Sequence, residues 1–417
     1  MSNLNALMRE IQFTARDKTV LFWLIIVLSL SSISVWSGLT EVQHQNATIQ
    51  NLINADQQER LTEQKKLENW GLTAYHSFHL TYDPPSNFAY AAMGLRDTQP
   101  WKHRIRMLAL EGQIYERDVG NPSVALIGRF DFAFFTTFII PIIIIMILYN
   151  LQSSEKTAGR HALLEATAGK KSFFWALRAL VRVGALFLSL IFPLIIAGII
   201  ADTNPSTLFL AILAVFTYIA FWTLVSVYIS AWRTSGSVIL MTLVFFWVLS
   251  AVILPAGSRI AIDRVVSVPS GTDILMLQRE TVNDAWDLPR EVTMDAFFKR
   301  HPQWSNYEPV KDSFEWPWYY AFQQVGDQKT EDLSTAYRNA RLQRDQLAAW
   351  VSLITPPSLL ERYLQSLAKT DLHSSIEYEE SIRAYHMLLR TFYYPKLFKN
   401  EPFDTSILQK LPKFLAH

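Results

Sequence analysis

The chain has 417 residues, half of them hydrophobic and 18% charged, with a formal net charge of +1. There is no basic excess to meet a phosphate backbone, so nucleic acid is excluded as a partner. The absence of cysteine excludes disulfides, thiolate metal sites and cysteine nucleophiles.

The hydrophobicity is concentrated in five uncharged runs: Val20 to Leu39, Phe132 to Tyr149, Val183 to Ile200, Leu208 to Ser230 and Ser237 to Leu254. Each reaches the roughly 18 residues that let a helix cross a bilayer. The pattern predicts a mainly α, polytopic membrane protein. Leu4, Leu7, Met8 and Ile11 recur at i, i+3, i+4 and i+7, which predicts a short interfacial helix before the first span. That span follows Arg9, Arg16 and Lys18. Its apolar run is too long for a signal-peptide core, so it reads as uncleaved.

Residues 40–129 form the first long connection. Gln43 to Asn69 is polar and free of Pro and Gly, predicting a helix that rises out of the membrane. Turn signals follow at Asp83-Pro84-Pro85 and Asn121-Pro122. Spans 2 to 5 occupy residues 130–254, interrupted by the loop 150–181 with Lys156, Arg160, Lys170, Lys171 and Arg178. The short Ala201–Thr207 connection has no Lys or Arg, and the Ala231–Gly236 connection has Arg233. This asymmetry predicts a cytoplasmic N-terminus and two long extracytoplasmic domains, 40–129 and 255–417. In the second, the first half, with Trp286, Trp304, Trp316 and Trp318, reads as loop. Helices are predicted over Glu331 to Ile354, after a Ser358 cap, and over Glu377 to Phe392.

No catalytic constellation is legible, and the chain reads as a non-enzyme. Ala168-Gly169-Lys170-Lys171 lacks the earlier glycine and the hydroxyl of a phosphate loop. His76 and His79 would be i, i+3 neighbours on a helix, but no third metal ligand is evident. The five runs hold no Asp, Glu, Lys, Arg or His, so transport would be driven from elsewhere. Pro141 and Pro193 sit within spans and predict kinks. In the loop, Glu155 to Glu165 places charge on one side and Ala162, Leu163 and Leu164 on the other, with Gly159 between. Such a segment can dock its apolar face into a partner's groove.

The loop resembles that of ABC-2-type transporter permeases: Glu155 and Lys156, then Gly159, then Leu163 and Leu164, then Gly169-Lys170, with Arg160 standing where Thr is commoner. Tyr82-Asp83-Pro84-Pro85-Ser86, Gly128-Arg129-Phe130-Asp131-Phe132-Ala133, Thr355-Pro356-Pro357-Ser358 and Leu411-Pro412-Lys413-Phe414 resemble one subfamily. It has two large extracytoplasmic insertions, is related to gliding-motility-type permeases and is catalogued as a domain of unknown function. The resemblance implies a coupling helix at Glu155–Glu165, two copies of an ATP-binding subunit carrying ATP and Mg, and no cofactor in this chain. It further implies a second permease subunit, identical or homologous, contact with membrane lipid, a periplasmic partner and a place in a bacterial inner membrane. Six spans are usual there; a sixth run has no counterpart in this sequence.

Overall fold

The computed structural model describes residues 3–64, 68–116, 130–167, 171–307 and 314–416. Among them, five helices are long and apolar enough to cross a membrane. An amphipathic helix, α1 (Asn3–Arg16), leads into α2 (Lys18–Gln64). The 47 residues of α2 extend about 70 Å, more than twice the hydrocarbon thickness of about 30 Å. Its polar half is the rising helix expected from the absence of Pro and Gly.

The second span, α5, starts as α-helix at Phe132–Phe134, widens into π-helix over Phe135–Ile139 and returns to α-helix over Ile140–Leu148. Pro141 explains the widening. A proline has no N–H to give the carbonyl four residues back, here that of Thr137. Tyr218 Oη donates to this carbonyl at 2.6 Å. The kink expected at Pro141 is thus a π-helical widening whose freed acceptor is bonded by a neighbouring span. Pro193 lies inside α8 (Lys171–Ile200), where Ser31 Oγ donates to the Leu190 carbonyl at 2.8 Å.

Two short helices, α6 (Ser153–Thr157) and α7 (His161–Thr167), join α5 to α8. The fourth and fifth spans are α9 (Pro205–Ser230) and α10 (Gly236–Val265), the latter with a π-helical stretch at Leu249–Ile253. The loop 150–181 is therefore shorter than expected. Helix resumes at Lys171, because Arg178 and Arg182 are accommodated inside it by acidic partners.

The remaining elements form a domain at the end of the bundle opposite α6 and α7. From the first long connection it takes α3 (Trp70–His76), β1 (His79–Tyr82), β2 (Lys102–Ile105) and α4 (Leu110–Tyr115). The strands pair antiparallel, His79 opposite Ile105 and Tyr82 opposite Lys102. From the second come α11 (Gly271–Asp287), α12 (Arg290–Arg300), α13 (Trp316–Ser352), α14 (Pro356–Leu367) and α15 (Leu372–Phe398). The domain core is aromatic, with Trp70, Phe297, Tyr320, Phe322 and Tyr393 fully enclosed.

Several sequence expectations are corrected here. The first half of residues 255–417 contains two helices, α11 and α12, rather than loop. The helices expected over Glu331–Ile354 and Glu377–Phe392 are longer, beginning at Trp316 and Leu372. Thr355, not Ser358, is the N-cap residue of α14. His76 ends α3 and His79 lies on a strand, so they are not helical neighbours. Asn121, Pro122, Gly128, Arg129, Gly169 and Lys170 lie outside the described residues.

Candidate functional site

The loop end of the bundle is organised by one buried cation. Arg178 on α8 donates through Nε to Glu10 on α1 at 2.9 Å, and its Nη1 lies 3.5 Å from Glu155 on α6. Their relative exposures are 5%, 1% and 8%. An ion removed from water needs close partners, since breaking a buried pair costs about 3–5 kcal/mol. Phe13 and Phe174 place their rings 4.7 Å from the Arg178 guanidinium. Glu155 also accepts from Arg160 Nε at 2.9 Å. Arg182, one turn further along α8, reaches Asp17 at 3.0 Å and the Ile147 carbonyl at 3.2 Å. The interfacial helix, the first connecting helix and the third span are thereby fastened into one unit.

Gly159 separates α6 from α7. Its φ of +70° lies in the left-handed region, where only a residue without Cβ avoids strain. The bend lets Arg160 return to Glu155 while α7 turns outward. His161 stacks on Trp175 with ring centroids 5.6 Å apart. Lys156 Nζ donates to the Trp232 carbonyl at 3.3 Å, tying α6 to the connection between α9 and α10. Leu164 packs against the bundle core. Leu163 points the other way and is 66% exposed.

The candidate residues therefore divide by role. Glu155, Lys156, Gly159 and Arg160 build the elbow, Leu164 anchors it, and Leu163 is the outward apolar contact. The expectation that Leu163 and Leu164 share one docking face is corrected: adjacent helical residues are about 100° apart, and only one faces out. Pro141 and Pro193 lie inside the spans, away from the elbow. Glu10 and Arg178 were not legible as a pair, because 168 residues separate them. The only sequence signal was a charged residue within an otherwise apolar helical stretch.

At the opposite end, α14 enters the bundle. Its Leu360 and Leu364 belong to the core of the bundle, not the domain core. Asp131 caps α5, accepting from Phe134 N at 2.8 Å and Met93 N at 2.9 Å. Burial pushes its carboxyl up to about 6. Burial, with the nearby charge of Asp131, pushes Glu361 on α14 up to about 7. Within the domain, burial lowers His79 to about 3 and takes His386 well below its usual range. Among the described residues, no group of three or more His, Asp or Glu is arranged for a metal.

Residues 273–416 match the model of a domain of unknown function, DUF3526. The match covers α11 to α15 and the C-terminal tail. No curated protein and no solved structure matches the chain.

Proposed function

We propose that the chain is the membrane subunit of an ATP-driven ABC-2-type exporter in a bacterial inner membrane. The N-terminus and the loop end are cytoplasmic, and residues 40–129 and 255–417 are extracytoplasmic. The chain pairs with an identical or homologous permease, and the pair sits on two ATP-binding subunits that carry the ATP and Mg. The observation that carries this reading is the elbow. A buried triad, Glu10–Arg178–Glu155, braces two short helices and leaves Leu163 exposed on the second of them. A rigid brace with one apolar contact is what a coupling helix needs. Force applied at Leu163 passes through α6 to α1 and α8 instead of being lost in a slack loop.

A second reading is favoured by a different observation. Two spanning helices run without a break into the domain: α2 to Gln64 and α10 to Val265. Such continuous rods would carry motion across the membrane to an extracytoplasmic partner, with no substrate passing between the spans. Both readings need an ATPase at the elbow. Mild-detergent purification of the tagged chain from its host, with mass spectrometry, tests that need. A stoichiometric phosphate-loop ATPase is expected. Purification without one, in lipid and nucleotide, would remove the basis of both.

A further inference from the structure

A cavity of about 630 Å³ opens between the outer stretch of α10, α13 and α14. Four arginines line it: Arg259, Arg341, Arg344 and Arg362. Three are held in place. Arg344 donates to the Val266 carbonyl at 2.8 Å and lies 2.9 Å from Asp263. Arg362 grips Asp345 with two bonds, of 2.7 and 2.9 Å. Arg341 bonds Glu379 at 2.7 Å. Arg259 is exposed and has no ion pair among the described residues. Asp263, Asp345 and Glu379 pair with three of the four guanidinium groups, and Asp371 also acts on Arg362; Arg259 is the one left without an ion pair among the described residues. Between the charges the lining is apolar or hydroxylic, with Ile262, Ala348, Val351 and Ser358.

The depth of the cavity follows from its flanks. On α10, Val252 and Ile253 are about half exposed, 51% and 49%. Beside the lining residues Val351, Thr355 and Ser358, where α13 ends and α14 begins, Trp350, Leu353, Ile354 and Leu359 are exposed as well. Large apolar side chains that continue the outer surface of a spanning helix meet lipid rather than water. Six residues separate Ile253 from Arg259, about 9 Å of helix. That rise carries a side chain from the hydrocarbon edge into the headgroup layer, whose thickness is about 5–8 Å on each side.

We infer that this cavity holds the phosphodiester headgroup of an anionic phospholipid, with the acyl chains lying along the exposed leucine and isoleucine wall. The planar guanidinium matches phosphate oxygens in charge and geometry. Arg259 supplies the free donor, and the paired arginines keep the mouth from closing on it. A zwitterionic headgroup brings its own cation up against the unpaired Arg259, so the anionic lipid is preferred. The occupant touches both α10 and the domain, and so bridges the outward extension of a span to α13 and α14.

The test uses the full chain alone, exchanged into micelles with equal phosphatidylglycerol and phosphatidylcholine, with retained lipid counted by native mass spectrometry. Phosphatidylglycerol is expected to be retained several-fold over phosphatidylcholine. Arg259→Gln should bring the ratio near one, and Arg259→Lys should keep most of it. Ala348→Trp, which fills the cavity without changing charge, should abolish retention while circular dichroism stays unchanged. Equal retention of both lipids by the unsubstituted chain would overturn the assignment, as would unchanged retention in both Arg259→Gln and Ala348→Trp. Displacement of phosphatidylglycerol by millimolar inorganic phosphate would also overturn it, in favour of a soluble anion. No ATPase takes part in this measurement, so its failure and that of the coupling reading are separate results.

Discussion

At the loop end of the bundle, three elements meet through side-chain charges: Glu10 of α1, Glu155 of α6 and Arg178 of α8. At the domain end, the contacts run instead from side chains to backbone. Asp131 accepts from Met93 N, Thr203 Oγ1 donates to the Asn87 carbonyl at 2.6 Å, and Asn87 Nδ2 donates to the Asp202 carbonyl at 3.1 Å. Gly38 lets α2 pass against the Tyr90 carbonyl, where an added Cβ would sit 1.9 Å from the oxygen. The first arrangement concentrates its strength in one ion, so a single substitution releases three elements. The second distributes it over main-chain bonds and close approach, so motion of a helix is carried into the domain as a whole. In the function proposed, the braced elbow would receive force and the continuous rods would deliver it.

The comparison is broken most severely at Arg178. Arg178→Leu leaves the buried Glu10 with only Arg9, at 3.6 Å, and Glu155 with only Arg160, and should cost about 3–5 kcal/mol, read as a lowered unfolding midpoint in detergent. Adding Glu10→Gln and Glu155→Gln should restore much of it. A loss below about 1 kcal/mol for Arg178→Leu would mean that the triad is not what holds the loop end. At the other end, Gly38→Val forces α2 away from Tyr90 and should cost about 1–3 kcal/mol or more. Its signature is altered protease sensitivity of the domain, with the elbow unaffected.

Acidity separates the regions in opposite senses. His79 and His386 have folded-state affinities for protons below their unfolded ones. The stability His79 contributes is complete above about pH 6.5 and is lost as the pH falls toward 3, at up to about 1.4 kcal/mol per pH unit, and His386 acts in the same sense. Glu361 is raised, so its contribution is present below about pH 4.5 and is lost as the pH rises through about 7. The domain should therefore loosen in acid, while the junction of α14 with the bundle should loosen on the alkaline side. Glu361→Gln should flatten only the alkaline limb of midpoint against pH. A smaller effect is expected from Tyr218→Phe, which leaves the Thr137 carbonyl without its donor and should cost about 1 kcal/mol. An unchanged midpoint would show that the π-helical widening at Pro141 stands without that bond.

The five spans were legible because a bilayer demands long uncharged runs, and nothing else in the chain resembles one. The rising half of α2 was legible from its lack of Pro and Gly. The start of α8 was not, because Arg178 and Arg182 interrupt the uncharged run, and their acidic partners on α1 and the Asp17 turn are distant in sequence. Helix α11 carries its own start signal, a Ser270–Asp273 capping box, which the surrounding aromatic residues obscured. Strands β1 and β2 are four residues each and lie about twenty apart, too short for alternation to stand out. At the elbow, residue types and the Gly159 break were readable. The opposite facing of Leu163 and Leu164 depends on how α7 leans against the bundle, which no local pattern encodes.

The central claim is that the elbow is where an ATPase docks, and the cysteine-free sequence gives a direct test. Leu163→Cys, labelled with a short photo-crosslinker in native membranes, reports what touches that one position. The account predicts a crosslink to a phosphate-loop ATPase, strengthened or weakened by ATP, and none from a cysteine placed at the equally exposed Met276 of α11. Crosslinks from position 163 to lipid or to this chain alone, with the ATPase absent, would contradict it.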